Sequence, residues 1–294
     1  MAVRYPKRGR PVARVTPDLM AFLAERLTDR DRRVVRYCHD HRVLTTGQIT
    51  RLAFGSASHA RARLDQLARW RVLDRARPFT QVGSAPWHYV LGPAGARVIA
   101  AEDGGTVADL GWRRDHAIDV VFSRQIGHIL GVNDFFTALT EHARQHDDTK
   151  LLAWWPQRRC AAEHGTYVRP DAYGHWRDDD AQIRFFLEYD TGTEPAGHVA
   201  AKLTDYAELT TVTGQNTPVL FAFHGPRREA HLRRLMAEHP DAGCLAIATT
   251  HMVDSAVDIG SPTGPVWQPL DRTGPRIRLA DLARHFPAPG EPSC

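Results

Sequence analysis

The chain has 294 residues, 43% of them apolar, four cysteines, and a net charge of +4 from 38 Lys/Arg and 34 Asp/Glu. That length and apolar content suffice for two buried cores. No stretch approaches the roughly 18 consecutive apolar residues of a membrane span, and no apolar run opens the chain as a signal peptide would. Cys38, Cys160, Cys244 and Cys294 show neither C-x-x-C nor Cys/His ligand spacing, which argues against structural zinc and for a reducing, cytoplasmic compartment. Charge divides the chain: residues 1–103 hold 19 Lys/Arg and 9 Asp/Glu, whereas residues 104–294 hold 19 and 25. A basic, polyanion-facing module followed by an acidic one makes double-stranded DNA the first candidate partner.

Residues 1–16 carry Arg4, Lys7, Arg8, Arg10 and Arg14 with no acid and read as a disordered basic arm. Residues 17–103 read as a winged-helix domain. Pro17 suits a first helical turn, with Leu19, Phe22, Leu23 and Leu27 on its apolar stripe. Thr28 caps a second helix with Asp29 and Asp31 in its first turn. A short helix around Gln48–Ala53, a turn at Gly55-Ser56 and a helix from about Ser58 to Trp70 form a helix-turn-helix. In the last helix Ala60, Leu64, Leu67 and Ala68 face inward, leaving His59, Arg61, Arg63, Gln66 and Arg69 as the outward, DNA-reading face. Strands at Val72–Ala76 and Trp87–Leu91 around Gly83-Ser84 form the wing, with Arg75 and Arg77 for phosphate. A helix from Pro93 to Glu102 closes the domain, and Asp103-Gly104-Gly105 is the expected linker.

Residues 112–270 read as a second domain. Helical periodicity runs over Ala117–His146, as one long or two abutting helices. Strands are expected at Leu151–Trp155, Tyr167–Asp171, Ile183–Asp190, Val219–Phe223 and Leu245–Thr249, with helices at Pro195–Leu209 and Arg227–His239. Such an order gives a mixed sheet flanked by helices, an α+β or α/β arrangement. Residues 271–294, rich in Pro and Gly, read as a loose tail with one short helical pattern, Leu279–His285.

Chemistry concentrates at Asp171, Glu188, Asp190 and Lys202. Glu188 and Asp190, at i and i+2 of a strand, share a face; a neighbouring Pro170-Asp171 strand puts Asp171 beside Glu188. Converging carboxylates suit Mg²⁺ or Mn²⁺, so Asp171, Glu188 and Asp190 are the candidate metal ligands. Lys202 lies on the stripe Val199, Lys202, Leu203, Tyr206 that must face the sheet, where it either snorkels to the rim or points at the acids. It is one of only three lysines, with Lys7 and Lys150, against 35 arginines, so a lysine at this position stands out. His39-Asp40-His41 has an acid between its histidines and lies within a helix, which disfavours a relaxase with paired histidines.

Arg169-Pro170-Asp171, the block Phe186 to Glu194 and Lys202-Leu203-x-x-Tyr206, behind Thr28-Asp29-Arg30-Asp31, resemble the replication-relaxation family of actinobacterial plasmids and integrative elements, over roughly residues 28 to 250. The resemblance implies a DNA-handling protein whose C-terminal domain is similar to the PD-(D/E)xK nuclease superfamily, with a restriction-endonuclease-like sheet. Asp190 departs from that pattern, standing where the superfamily usually has its lysine; Lys202 on the following helix would supply it. Two functions remain open: a Mg²⁺-dependent DNA endonuclease or nickase, and a non-catalytic initiator or regulator of replication or transfer built on a degenerate nuclease-like scaffold. A homodimer and replication or transfer proteins of the element are further candidate partners.

Overall fold

The computed structural model describes residues 14–78, 84–252 and 261–286. Most of the expected basic arm, the hairpin tip at 79–83 and the last eight residues lie outside that range. The described chain forms two compact units: residues 14–46 with 56–121, and residues 47–55 with 122–286.

The first unit begins with α1 (Pro17–Arg26), which has Thr16 as its N-cap and Pro17 in its first turn. Helix α2 (Asp29–Asp40) opens with a reciprocal capping box. Thr28 N–H donates to Asp31 Oδ2 at 2.9 Å and Asp31 N–H to Thr28 Oγ1 at 3.3 Å. Helix α4 (Ala57–Arg69) starts behind the N-cap Ser56 and buries Ala60, Leu64 and Leu67. Strands β1 (Leu44–Thr45), β2 (Leu73–Ala76) and β3 (His88–Leu91) form an antiparallel sheet in the order β1-β3-β2. Helix α5 (Pro93–Glu102) packs beside it. The unit continues past the expected linker through α6 (Arg114–Asp119), where Arg114 Nε bonds Asp74 Oδ2 at 2.7 Å.

Helix α3 (Thr46–Ala53) falls in the second unit, so the two helices of the expected helix-turn-helix are divided between the units. The buried Gln48 amide donates to Leu130 O at 2.9 Å, and Arg144 donates to Arg51 O at 2.7 Å and Phe54 O at 3.2 Å. A cation on the last carbonyls of α3 satisfies orphan acceptors and complements the helix dipole.

The second unit is a six-stranded mixed sheet flanked by helices. Its strands are β4 (Thr149–Pro156), β5 (Ala172–Asp178), β6 (Ala181–Asp190), β7 (Val219–His224), β8 (Ile247–Met252) and β9 (Gln268–Pro269), in chain order across the sheet. Strands β6, β7 and β8 run parallel, joined by α9 (Ala196–Thr213) and α10 (Pro226–Ala237); the remaining pairs are antiparallel. Helix α7 (Ile126–Ala143) and α11 (Leu279–His285) contribute Phe135, Phe136, Leu139, Leu279 and Leu282 to one core, which also holds Trp176, Phe185 and Trp267. On α9 and α10, Val199, Leu203, Tyr206, Leu232 and Met236 close the other core, against Phe186, Phe221 and Phe223.

Two expectations need correction. Residues 167–171 are not a strand; a helix α8 (Gln157–His164) precedes them, and β5 begins immediately after Asp171. The periodic stretch 117–146, expected as one long or two abutting helices, forms α6 and α7 with a 3₁₀ turn at Val120–Phe122 between them in sequence. Residues 271–286 are not loose: Trp267 and Ile277 exchange backbone hydrogen bonds, and Leu279 and Leu282 are fully buried.

Arg63 also departs from its expected role on the outward face. Its guanidinium reaches the fully buried Asp31 carboxylate, with Nε to Oδ1 at 3.0 Å and Nη2 to Oδ2 at 2.5 Å, and it lies over the Trp70 ring, with 5.0 Å from Cζ to the ring centre. Burial alone would raise the Asp31 carboxyl; the hydrogen bonds from Arg63 and Thr28 outweigh it and hold the group below its ordinary value. Removing one partner of such a pair leaves a buried charge uncompensated, so Arg63→Ala should lower unfolding stability by roughly 3–5 kcal/mol. Arg61→Ala on the exposed face should change it by no more than about 0.5 kcal/mol. Urea unfolding of the two variants checks the contrast.

Candidate functional site

Glu188 and its neighbours occupy a cavity of about 130 Å³ lined by His128, Asp171, Glu188, Asp190, Glu194 and Lys202, among others. Strand pairing explains the meeting: Ala172 lies opposite Leu187 in the antiparallel β5–β6 ladder, which brings Asp171 alongside Glu188. The i, i+2 rule puts the Glu188 side chain under α9, while Tyr189 turns to the opposite face against α7. A Cβ on Gly131 of α7 would stand 2.2 Å from Tyr189 Cε1, so only glycine lets the helix approach this ring. That approach brings His128, one turn earlier, to Asp171, with Nε2 2.9 Å from Oδ2. Asp171 Oδ2 also accepts the Tyr189 backbone N–H at 2.9 Å.

Glu188 is only 3% exposed. Lys202 Nζ donates to its Oε2 at 2.7 Å and Tyr206 Oη to its Oε1 at 2.6 Å. Lys202 is therefore aimed at the acids; it also lies 3.5 Å from Glu194 Oε2. Burial and the neighbouring Asp171 push Glu188 up to about 7, against the lowering pull of Lys202 and Tyr206. Burial disfavours the Lys202 ammonium, but Glu188, Asp171 and Glu194 together raise it above its ordinary value. In the same way burial opposes a charged His128, and Asp171 more than offsets it, raising the imidazole.

Asp190 lines the same cavity, but its oxygens are taken by Arg228 on α10, through Nε and through Nη2 at 3.1 Å, and by the Gly192 N–H at 2.9 Å. Arg228 also donates to Glu194 O at 2.5 Å, so it closes the 190–194 loop. Apart from this pair, Asp171, Glu188 and Glu194 share the cavity with Lys202 and with His128, which holds Asp171. The hard carboxylate oxygens of Asp171 and Glu188 are the donors that could hold a divalent cation, otherwise hydrated. Among the described residues no three His, Cys, Asp or Glu side chains converge as a ready-made cage.

A family model described as replication-relaxation matches residues 35–221, more than half of the chain and including every one of these side chains except Arg228. The chain belongs to the replication-relaxation family. Membership suggests a role in plasmid replication or relaxation. Comparison with curated proteins and with solved structures finds no match. No helix among the described residues is long and apolar enough to cross a membrane.

The side chains expected to contact DNA in this replication-relaxation protein lie on the first unit. His59, Arg61, Gln66 and Arg69 are exposed on α4, and Arg69 pairs with Asp65 one turn back at 2.5 Å. Arg75 and Arg77 hold their guanidinium carbons 4.5 Å and 4.2 Å over the Trp87 ring. Arg75 also bonds Asp65 at 2.8 Å. His128, Glu194 and Tyr206 were not among the expected site residues. Tyr206 carried a signal, the K-L-x-x-Y spacing; His128 depends on the Gly131–Tyr189 approach, which no local pattern discloses.

The folded value of Glu188 exceeds the unfolded 4.5, so its contribution to stability is complete below pH 4.5 and is lost as the pH rises through about 7. In a metal chelator, wild type should lose stability relative to Glu188→Gln across that window and run parallel to it above. Urea unfolding of both proteins at a series of pH values measures the difference.

Proposed function

We propose that this protein binds plasmid DNA through the winged-helix elements α4, β2 and β3 of its first unit and cleaves or nicks it at the Asp171–Glu188–Lys202 site, in the manner of a PD-(D/E)xK nuclease. The observation that carries the reading is Lys202 Nζ on Glu188 Oε2 at 2.7 Å, in a cavity that Asp171 also lines. Asp171 and Glu188 would hold Mg²⁺ or Mn²⁺, which supplies an activated water and neutralises a phosphate oxygen. Lys202, kept protonated by its acidic neighbours, donates to the charge that develops on the scissile phosphate. His128 fixes the orientation of the Asp171 carboxylate. Asp190 is reassigned from the metal set to holding the loop through Arg228. Arg61, Arg69, Arg75 and Arg77 supply phosphate contacts, with Trp87 steadying the last two.

A second reading, a non-catalytic DNA-binding initiator or regulator, draws on one observation: Lys202 and Tyr206 already satisfy both oxygens of Glu188. Nicking of supercoiled plasmid separates the two. Wild type should convert it only with Mg²⁺ or Mn²⁺, and Lys202→Met should lower the rate by about 10²–10³-fold at unchanged DNA affinity. A wild-type protein that binds DNA but never cleaves it would establish the second reading.

Binding has its own signature. The slope of log affinity against log salt should shrink by about one for each phosphate contact removed, so Arg61→Ala with Arg69→Ala should shrink it by about two. Fluorescence anisotropy across a salt series reads the slope.

A further inference from the structure

Arginines gather around a second cavity, of about 350 Å³, between the start of α10 and the turn after β9. It lies beyond residue 221, where the family match ends. Arg233, Arg272 and Arg276 line it with a single carboxylate, Glu229. Glu229 is 2% exposed and wholly engaged: Arg276 donates to Oε1 at 3.0 Å and to Oε2 at 2.6 Å, Thr249 Oγ1 to Oε1 at 2.6 Å, and His251 Nδ1 lies 2.6 Å from Oε2. This carboxylate neutralises Arg276 and has no lone pair left for another guanidinium.

Arg233 is half-buried, and its three bonds go to neutral oxygens: Thr249 Oγ1 at 2.9 Å, Gln268 O at 2.8 Å and Pro269 O at 2.9 Å. A cation withdrawn from water ordinarily has an anion in contact; Arg233 has none among the described residues. Arg272 adds a third guanidinium. Gly274, at φ 136°, turns the chain back so that Arg272 Nη2 stands 3.6 Å from where a Cβ on that glycine would sit. Asp271, the nearest further acid in sequence, is engaged by His285 at 2.8 Å. Among the described residues, three guanidinia line the cavity with one carboxylate.

We infer that the Arg233–Arg272–Arg276 cavity is a binding site for a phosphoryl group. The Arg272 guanidinium fork matches its oxygens in geometry, and the gathered cations match its charge in sign. The volume admits the group together with what carries it, whether a free nucleotide or a segment of DNA backbone.

The test uses the full chain in phosphate-free buffer with a chelator, which keeps it independent of any cleavage at Glu188. Inorganic pyrophosphate is titrated by calorimetry and a DNA duplex by anisotropy, each with wild type, Arg272→Glu and Arg284→Glu. Arg284 is 77% exposed and outside the cavity, so its reversal makes the same change in net charge elsewhere. Pyrophosphate should bind wild type saturably and Arg272→Glu at least about tenfold more weakly, with Arg284→Glu close to wild type. A tenfold loss confined to the duplex titration would assign the site to backbone phosphates. Equal behaviour of the two charge reversals in both titrations would overturn the inference. If the unfolding transition of Arg272→Glu is shifted, Arg272→Gln replaces it under the same criteria.

Discussion

Glu188 is the constraint around which the second unit is arranged. A carboxylate in the middle of a sheet, under a helix, is costly unless its oxygens are met. Lys202 and Tyr206, four residues apart on α9, meet both. That requirement fixes the rotation of α9 over the sheet, because the helix stripe that buries Leu203 must also deliver an ammonium and a phenol to one side chain. Asp171 arrives by register rather than by its own packing, and the loop after β6 is tied down separately by Arg228 on Asp190.

Opposite imbalances of charge mark the Glu188 cavity and the Arg233 cavity. Near Glu188, acids outnumber cations once the Asp190–Arg228 pair is set aside; near Arg233, cations outnumber acids. Helix α10 serves both, with Arg228 at the first and Glu229 and Arg233 at the second. Surface ion pairs contribute little to stability; Arg233, whose three hydrogen bonds go to neutral oxygens, is half-buried with no carboxylate in contact among the described residues. The ligands proposed for these cavities, a divalent cation and a phosphoryl group, are complementary, and a phosphodiester substrate would present both needs together.

Much of this was readable from sequence where local chemistry decides. Thr28 and Asp31 announced a helix start, Pro17 and Pro93 marked first turns, and the strand Ile183–Asp190 followed from its apolar run. Glu188, Asp171 and Lys202 emerged because strand period and helix period placed them toward one point. What failed were features set by distant partners. Strand β5 alternates faithfully, but its inward residues include Ala172 and Gly174, too small to announce a buried face; Gly174 is small because the Phe185 ring lies against it. Arg63 reads in sequence as one more exposed arginine because the carboxylate that holds it, Asp31, lies 32 residues away. Asp190 looked like a third metal ligand because the arginine that holds it lies 38 residues downstream.

The central claim is that Asp171 and Glu188 form a cation site with Lys202 beside it. A crystal soaked in Mn²⁺, read by anomalous difference density, addresses it directly. The account predicts a peak between the Asp171 and Glu188 carboxylates, with Asp190 still held by Arg228. An empty position there, with Lys202 and Tyr206 still saturating Glu188 at full Mn²⁺ occupancy elsewhere in the crystal, would contradict it.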